Sequence, residues 1–370
     1  MRGLLLAGVC AVAFAAPAAA DHPGTGGNTG SAGAINTISA DTLARGGFAF
    51  GLAFEYIKNR PLSDAQLIDA ASRHVHAHSV GAIQSPSAGF AYGITDDLML
   101  ALRVPYVKRT DIREGHHAHD DTTGVASNTV DMRGDAAGFG DVSLLAQYRF
   151  MRSPSASTAV LLGVKAPTGV TNRRDREGVL FETEFQPGSG SWDGLFGLAF
   201  TYRFAPAWQF DANALYVLTG AGVQDTELGD RFLYNAAITY RVFGAAPYDP
   251  LSGVLAKARA QDRGRAPAHR HGHKAGTPAH HHHDEPEAVR PAWALDVMLE
   301  LNGEWHDKQV IAGVSDPNTG GNTVYLSPGV RLSVQNFSGF LSVGIPVVNN
   351  LNGLQSSPDY RVVTGVAAAF

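Results

Sequence analysis

Four short stretches hold thirteen of the fifteen histidines: "HVHAH" at 74–78, "HHAHDD" at 116–121, "HRHGH" at 269–273 and "HHHH" at 280–283. Neutral imidazole ligates zinc, copper, nickel and cobalt, so these are the residues whose type and spacing can do chemistry. His74, His76 and His78 alternate, and His116, His117 and His119 run into Asp120 and Asp121, giving three imidazoles and two carboxylates in six residues. His269, His271 and His273 alternate again, while His280, His281, His282 and His283 are contiguous and lead into Asp284 and Glu285. The H-E-x-x-H spacing of a rigid zinc centre is absent. The expectation is therefore capture of Zn, Cu, Ni or Co ions on loops, with no tightly bound cofactor. Two other readings stand beside it. The tracts are solvated low-complexity loops with incidental histidines, or they sense pH, since clustered imidazoles charge near about pH 6 and then repel one another.

The chain begins "MRGLLLAGVCAVAFAAPAAADHPG". Arg2, the apolar stretch 4–16 and the small residues "APAAA" have the three-part form of a secretory signal peptide over 1–20, cut after Ala20. The apolar stretch is too short to span a bilayer. Val9 stands where a lipoprotein signal wants a small residue, which argues against lipidation at Cys10. Cleavage would remove Cys10, the one cysteine, and with it thiolate sites and disulfides. Losing Arg2 moves the formal charge from −5 to −6, too mild a balance to suggest a nucleic-acid partner. Residues 21–45 read as a flexible N-terminal tail; "GTGGNTG" at 24–30 has no following lysine and is no phosphate loop.

The elements that must position the histidines have a period of two. In "GGFAFGLAFEYI" (46–57), Phe48, Phe50, Leu52, Phe54 and Tyr56 share one face, and Ala49, Gly51, Ala53 and Glu55 share the other. The same alternation recurs at 98–106, 142–150, 196–204, 208–214 and 293–304, and in weaker form near 86–94, 157–167, 228–242, 323–334, 337–347 and 358–370. That makes twelve segments of about ten residues, the length that crosses a bilayer at a steep tilt. Tyr56, Tyr106, Trp192, Trp208, Trp293 and Trp305 fall near segment ends, where amphipathic rings prefer the membrane interface. The expected fold is all-β: a transmembrane antiparallel barrel of about twelve strands over 46–370, in the bacterial outer membrane, its apolar face on lipid. An open edge in lipid would leave backbone groups unpaired at several kcal/mol each, so the sheet must close.

The opposite faces carry the candidate pore lining: Arg103, Arg149, Asp211, Arg241, Asp296, Glu300, Glu304 and Arg331. Mixed signs give no clean ion preference. Either these groups line an open pore, with Asp296, Glu300 and Glu304 as an acidic ladder for cations, or they pair and knit a narrow lumen closed. Short links at 95–97, 152–156, 205–206 and 335–336 alternate with longer ones at 58–85, 108–137 and 168–189. Counting back from Phe370 at a periplasmic rim puts the long links outside and the insertion 244–291 in the periplasm, where it is a candidate docking segment for a periplasmic partner. Its Pro, Ala, Arg, Gly and His content predicts disorder. "LSDAQLIDAASRHV" (62–75) has helical spacing, with Ser63 as N-cap.

"NTGGNTVYLSPGVRLS", "GIPVVNNLNG" and a last strand ending in Phe, together with "GFGDVSLLAQYRF" at 138–150, resemble the outer-membrane barrels named for the meta-pathway of phenol degradation. The resemblance is clearest over about 290–370 and implies an outer-membrane transporter fold. The histidine-bearing insertion departs from a minimal member, so no phenol-like cargo is carried over from it. Catalysis is not expected: G-x-S-x-G is absent, and His306 with Asp307 reads as an interfacial pair rather than part of a triad. The leading expectation is a channel for small solutes and metal ions, its loops binding divalent transition metal for uptake or efflux. The alternatives are a general or aromatic-compound channel with incidental histidines, and a structural barrel without conductance.

Overall fold

A computed structural model of the chain describes residues 33–119, 126–244 and 293–370. In chain order the strands are β1 (Phe48–Arg60), β2 (His78–Ser79), β3 (Ala82–Gly93), β4 (Leu98–His119), β5 (Ala126–Phe139), β6 (Val142–Arg152), β7 (Ala156–Ala166), β8 (Asp193–Ala205), β9 (Trp208–Leu218), β10 (Thr226–Glu227), β11 (Arg231–Phe243), β12 (Trp293–His306), β13 (Val310–Ile311), β14 (Val314–Ser315), β15 (Gly321–Val334), β16 (Phe337–Leu351) and β17 (Ser357–Ala369). Helix α1 is Asp64–Ser72, capped by Ser63 and Gln66 in a reciprocal capping box.

Each long strand pairs antiparallel with its neighbour, and β1 pairs with β17 while β4 pairs with β6, so the sheet closes on itself. Strands β5 and β6 succeed each other along β4: Leu98–Arg103 face β6 and Tyr106–His119 face β5. Counted as one, they make a twelve-stranded closed antiparallel barrel. The upper part of the β4–β5 hairpin, beyond the last β3 rung at Thr110, rises above the barrel and reaches into the span expected to be a loop. Two further amide bonds clasp the chain's last residue to β1, Phe48 N–H to Phe370 O at 2.9 Å and Phe370 N–H to Phe48 O at 2.7 Å.

The faces sort as period two requires. Leu52, Phe54, Leu198, Ile345 and Val366 are between 38% and 57% exposed, while Ala49, Ala53, Ala199, Leu215 and Ala367 on the opposite faces are buried. Aromatic rings gather on the outside near the end that carries Phe370: Trp208 against Tyr240 at 4.6 Å, Phe243 on Trp293 at 3.9 Å, Phe337 against Phe370 at 6.2 Å. The tight turns at 94–97, 153–155, 206–207 and 335–336 and both stems of the insertion, Phe243 and Trp293, lie at this same end. The insertion itself falls outside the described residues, as do 1–32 with the expected signal peptide.

One expectation fails. Residues 33–45 were expected as part of a flexible tail, yet 33–40 are buried without exception. They run inside the barrel: Ile38 and Ala40 pack with Ala159, Leu161, Leu195 and Leu215; Ala34 and Ile35 with Ala237, Met298 and Val363; Leu43 with Ala49, Ala91 and Met99. Composition rich in Gly, Ala, Ser and Thr reads as tail because it forms no local structure. Here the barrel wall supplies the partners such a segment lacks.

Candidate functional site

All eight expected pore-lining residues sit on the inner face, and most are already engaged. Glu300, wholly buried on β12, accepts from three successive backbone amides of the lumenal segment: Ile35 at 3.1 Å, Asn36 at 3.0 Å and Thr37 at 2.9 Å, plus the Thr37 hydroxyl at 2.8 Å. Farther along, Asn213 accepts from Ile38 N–H and Thr201 from Ala40 N–H, each at 2.9 Å, and Gln147 Nε2 donates to the carbonyls of Ser39 and Asp41. Arg331 donates to Ala34 O at 3.1 Å; Arg203 and Arg149 pair with Asp41. A chain without its own ladder is thus hydrogen-bonded residue by residue to the wall, which is what burial of backbone amides demands.

The remaining charges pair across the wall. Arg241 grips Asp296 with two bonds of 2.7 and 3.0 Å, and Arg231 reaches Glu304 at 3.3 Å. Asp211 accepts from Thr201 at 2.7 Å and from Gln209 at 2.8 Å. The acidic ladder Asp296–Glu300–Glu304 is accordingly spent on two arginines and the lumenal segment. Of the two readings of these residues, the knitted lumen is the one the geometry matches.

Beyond that segment the inner wall lines a half-open chamber. Its apolar wall is Pro105, Val107, Leu195, Val217 and Leu228; its polar wall is Arg103, Arg109, Asp141, Lys165, Asp193 and Arg231. Lys165 is held by Asp193 at 2.6 Å and Asp141 at 3.4 Å. Arg103 is different: its Nε has no hydrogen-bond partner among the described residues, and Glu55 is the acid whose charge acts on it. His306, read from sequence as an interfacial residue, is instead buried on this inner wall. Its parity on β12 matches Glu300 and Glu304, which a count from Trp293 along the strand would have shown.

The histidines divide. His269, His271, His273, His280, His281, His282 and His283 lie outside the described residues, as do Asp120, Asp121 and the His119 side chain. His117 stacks edge-on to His74 at 4.5 Å and meets Asn128 Oδ1 at 2.6 Å through Nδ1; His116 faces Asp131 at 3.9 Å. Among the described residues the "HHAH" and "HVHAH" tracts thus meet through His74 and His117, without pooling their imidazoles into one donor set. Among the described residues only His76 and His78 converge with acids into a donor set, and on partners the sequence reading missed: Glu114, at the register position opposite His78 on β4, and Glu182, just before a short 3-10 turn (Thr183–Phe185) in the loop 167–192. The four donor atoms lie within 4.8 Å of one another. A signal was present: Glu182 and Glu184 alternate as His76 and His78 do, and Glu114 stands two residues ahead of His116.

This cluster stands above the barrel, on the extension of β4 and the loops that meet it. α1 presses on β4 there at Gly115, where an added Cβ would come within 2.3 Å of Leu67 O; only glycine lets helix and strand approach so closely. Hydrogen bonds donated to Glu114 and Glu182 push the His76 pKa up to about 10. Burial opposes charge on His78, but Glu184 raises it nonetheless. Burial likewise works against ionised Glu114, and His76 with Arg133 overcomes it, holding the carboxyl at about 2.

Against known proteins, the family model described as "Putative MetA-pathway of phenol degradation" matches residues 105–255. The span contains 138–150, one of the stretches on which the resemblance was read, and leaves out 290–370, where that resemblance had looked clearest. No curated protein matches the sequence. Among solved structures, the COG4313 outer membrane channel from Pseudomonas putida F1 aligns over 90% of this chain and 98% of its own, with a TM-score of 0.51 at 14% identity. The TodX deltaS2S3 mutant monoaromatic hydrocarbon channel (TM-score 0.39, 8% identity, 88% of this chain and 90% of that one) and the KdgM porin in complex with disordered oligogalacturonate (0.38, 6%, 86% and 99%) are too distant to argue from. Closed strands, an apolar belt and the fold shared with that channel make the chain a bacterial outer-membrane β-barrel, of which residues 105–255 are similar to the family described for the phenol-degradation MetA pathway.

Proposed function

We propose that this barrel is an outer-membrane channel for small solutes with an apolar or aromatic body and one polar or anionic group. The observation that carries the reading is the chamber, whose lining combines Pro105, Val107, Leu195, Val217 and Leu228 with the Arg103 guanidinium. Ligand sites of this kind are mostly apolar with a few placed polar groups that orient the solute. The phenol-degradation description of the matched family supports the same chemical class. The histidines of the expected metal set do not enter this reading, since none of the described ones lines the chamber. Passage requires the segment 33–44 to yield, so the channel is closed at rest and opens by displacement of that segment.

Proteoliposome uptake tests the proposal. Wild-type protein should pass benzoate and phenol faster than protein-free vesicles, and Arg103→Gln should slow benzoate several-fold while leaving phenol nearly unchanged. No permeation of either solute above lipid alone, in wild type and in Glu300→Ala with its lumenal segment loosened, would instead identify a structural barrel without conductance.

A further inference from the structure

We infer that His76, His78, Glu114 and Glu182 form a four-donor site for a zinc-class divalent cation that staples three separate outer segments together. Four-coordinate zinc, with metal–ligand bonds of about 2.0–2.2 Å, sets neighbouring donors roughly 3.3–3.5 Å apart. The separations here are close to that: His76 Nε2 to His78 Nε2 3.2 Å, His76 Nε2 to Glu114 Oε1 3.1 Å and to Glu182 Oε1 3.2 Å, His78 Nε2 to Glu182 Oε2 3.3 Å and to Glu114 Oε1 3.9 Å. Both imidazoles present the same nitrogen to one point. His78 turns its other nitrogen, Nδ1, to Glu184 Oε1 at 2.8 Å, and Gln309 holds the second oxygen of Glu184 at 2.8 Å. With Nδ1–H donated to Glu184, Nε2 is the atom left to bind a cation, which would take the place of the proton that Nε2 otherwise shares with the carboxylates. The carboxylate–imidazole–metal relay is the usual support of a histidine ligand. Glu114 is fixed through its free oxygen by Arg133 at 2.8 and 2.9 Å, and Arg133 in turn by Asp175 at 2.7 Å.

Four protein donors leave no open position, so the site is structural rather than catalytic. It ties the first outer loop, the β4 extension and the 167–192 loop, the last of which also contributes Gln186–Ser189 to the chamber roof. The inference is independent of the solute proposed above, because its ligand, its residues and its readout are separate.

The test uses the full chain, purified in detergent and stripped with chelator, then titrated with Co²⁺. Wild type should give intense visible bands of four-coordinate cobalt at the first equivalent, displaced by Zn²⁺; the histidine tracts would add only weak six-coordinate absorption. His78→Ala and Glu182→Ala should each abolish those bands, and Glu184→Gln should weaken binding 10- to 100-fold. His116→Ala/His117→Ala should keep them. Heat-shifted electrophoretic mobility confirms that each variant is a folded barrel, and Glu182, half-exposed in its loop, removes a ligand without opening the interior. A first equivalent that is six-coordinate in wild type, or four-coordinate bands that persist in both folded single variants, would overturn the assignment.

Discussion

Glu300 shows what one side chain does when a barrel closes around its own chain. Its carboxylate holds the backbone amides of Ile35, Asn36 and Thr37, and no other acid on β12 is placed to replace it. Hydrogen bonds to a charged acceptor contribute about 1.5–3 kcal/mol each, and amides left buried without a partner cost about 1–3 kcal/mol. Glu300→Ala should therefore destabilise the lumenal segment by on the order of 3 kcal/mol or more. The expected outcome is higher resting conductance in planar bilayers with the barrel intact; unchanged conductance would mean that 33–44 does not limit passage. At the same scale Arg103 and the cluster at His76 and His78 are the residues whose loss should alter solute and cation binding without touching assembly.

Among elements, the β4–β5 hairpin and α1 decide the architecture of the mouth opposite Phe370. Gly115 is the contact that lets α1 lie against β4, and Arg113 reinforces it by reaching Asp64 at 2.6 Å and Leu62 O at 2.6 Å. Gly115→Val should lift the helix off the strand, at a cost of about 1–3 kcal/mol for overpacking. Hydrogen exchange should then accelerate over 62–79 while the amides of β12, β15 and β16 stay protected. Equal protection in wild type and variant would show that the helix tolerates the shift. Because His76 and His78 follow α1 directly, the same substitution should weaken the cobalt bands.

For the whole molecule, stability rests on the outer face meeting lipid. Leu198, near the middle of β8 and 54% exposed, neighbours the inward Ala199, which is buried. Leu198→Arg should cost about 2–4 kcal/mol in a bilayer, as cations do at the midplane of a transmembrane barrel. Unfolding titrations in liposomes would read this directly, with Lys58, near a strand end, as the position where a cation is already tolerated. A cost near zero at Leu198 would place that face in water and remove the membrane assignment.

The chain's own alternation was enough to specify strands, their number and which face is apolar, because side-chain period is a local property of an extended backbone. Ser63 as the cap of α1 and the short turns themselves are local in the same sense. What the residues could not announce was who meets whom across the lumen and over its mouth. Residues 33–45 looked like a tail because their partners, Glu300, Asn213 and Thr201, are 161 to 265 positions away. His76 and His78 were legible as candidate ligands, but Glu114 and Glu182 join them only when β4 rises beyond the barrel and the 167–192 loop folds over it. Hydrogen-bond and charge partners of this kind are created by closure and register, and closure is a condition on twelve strands at once.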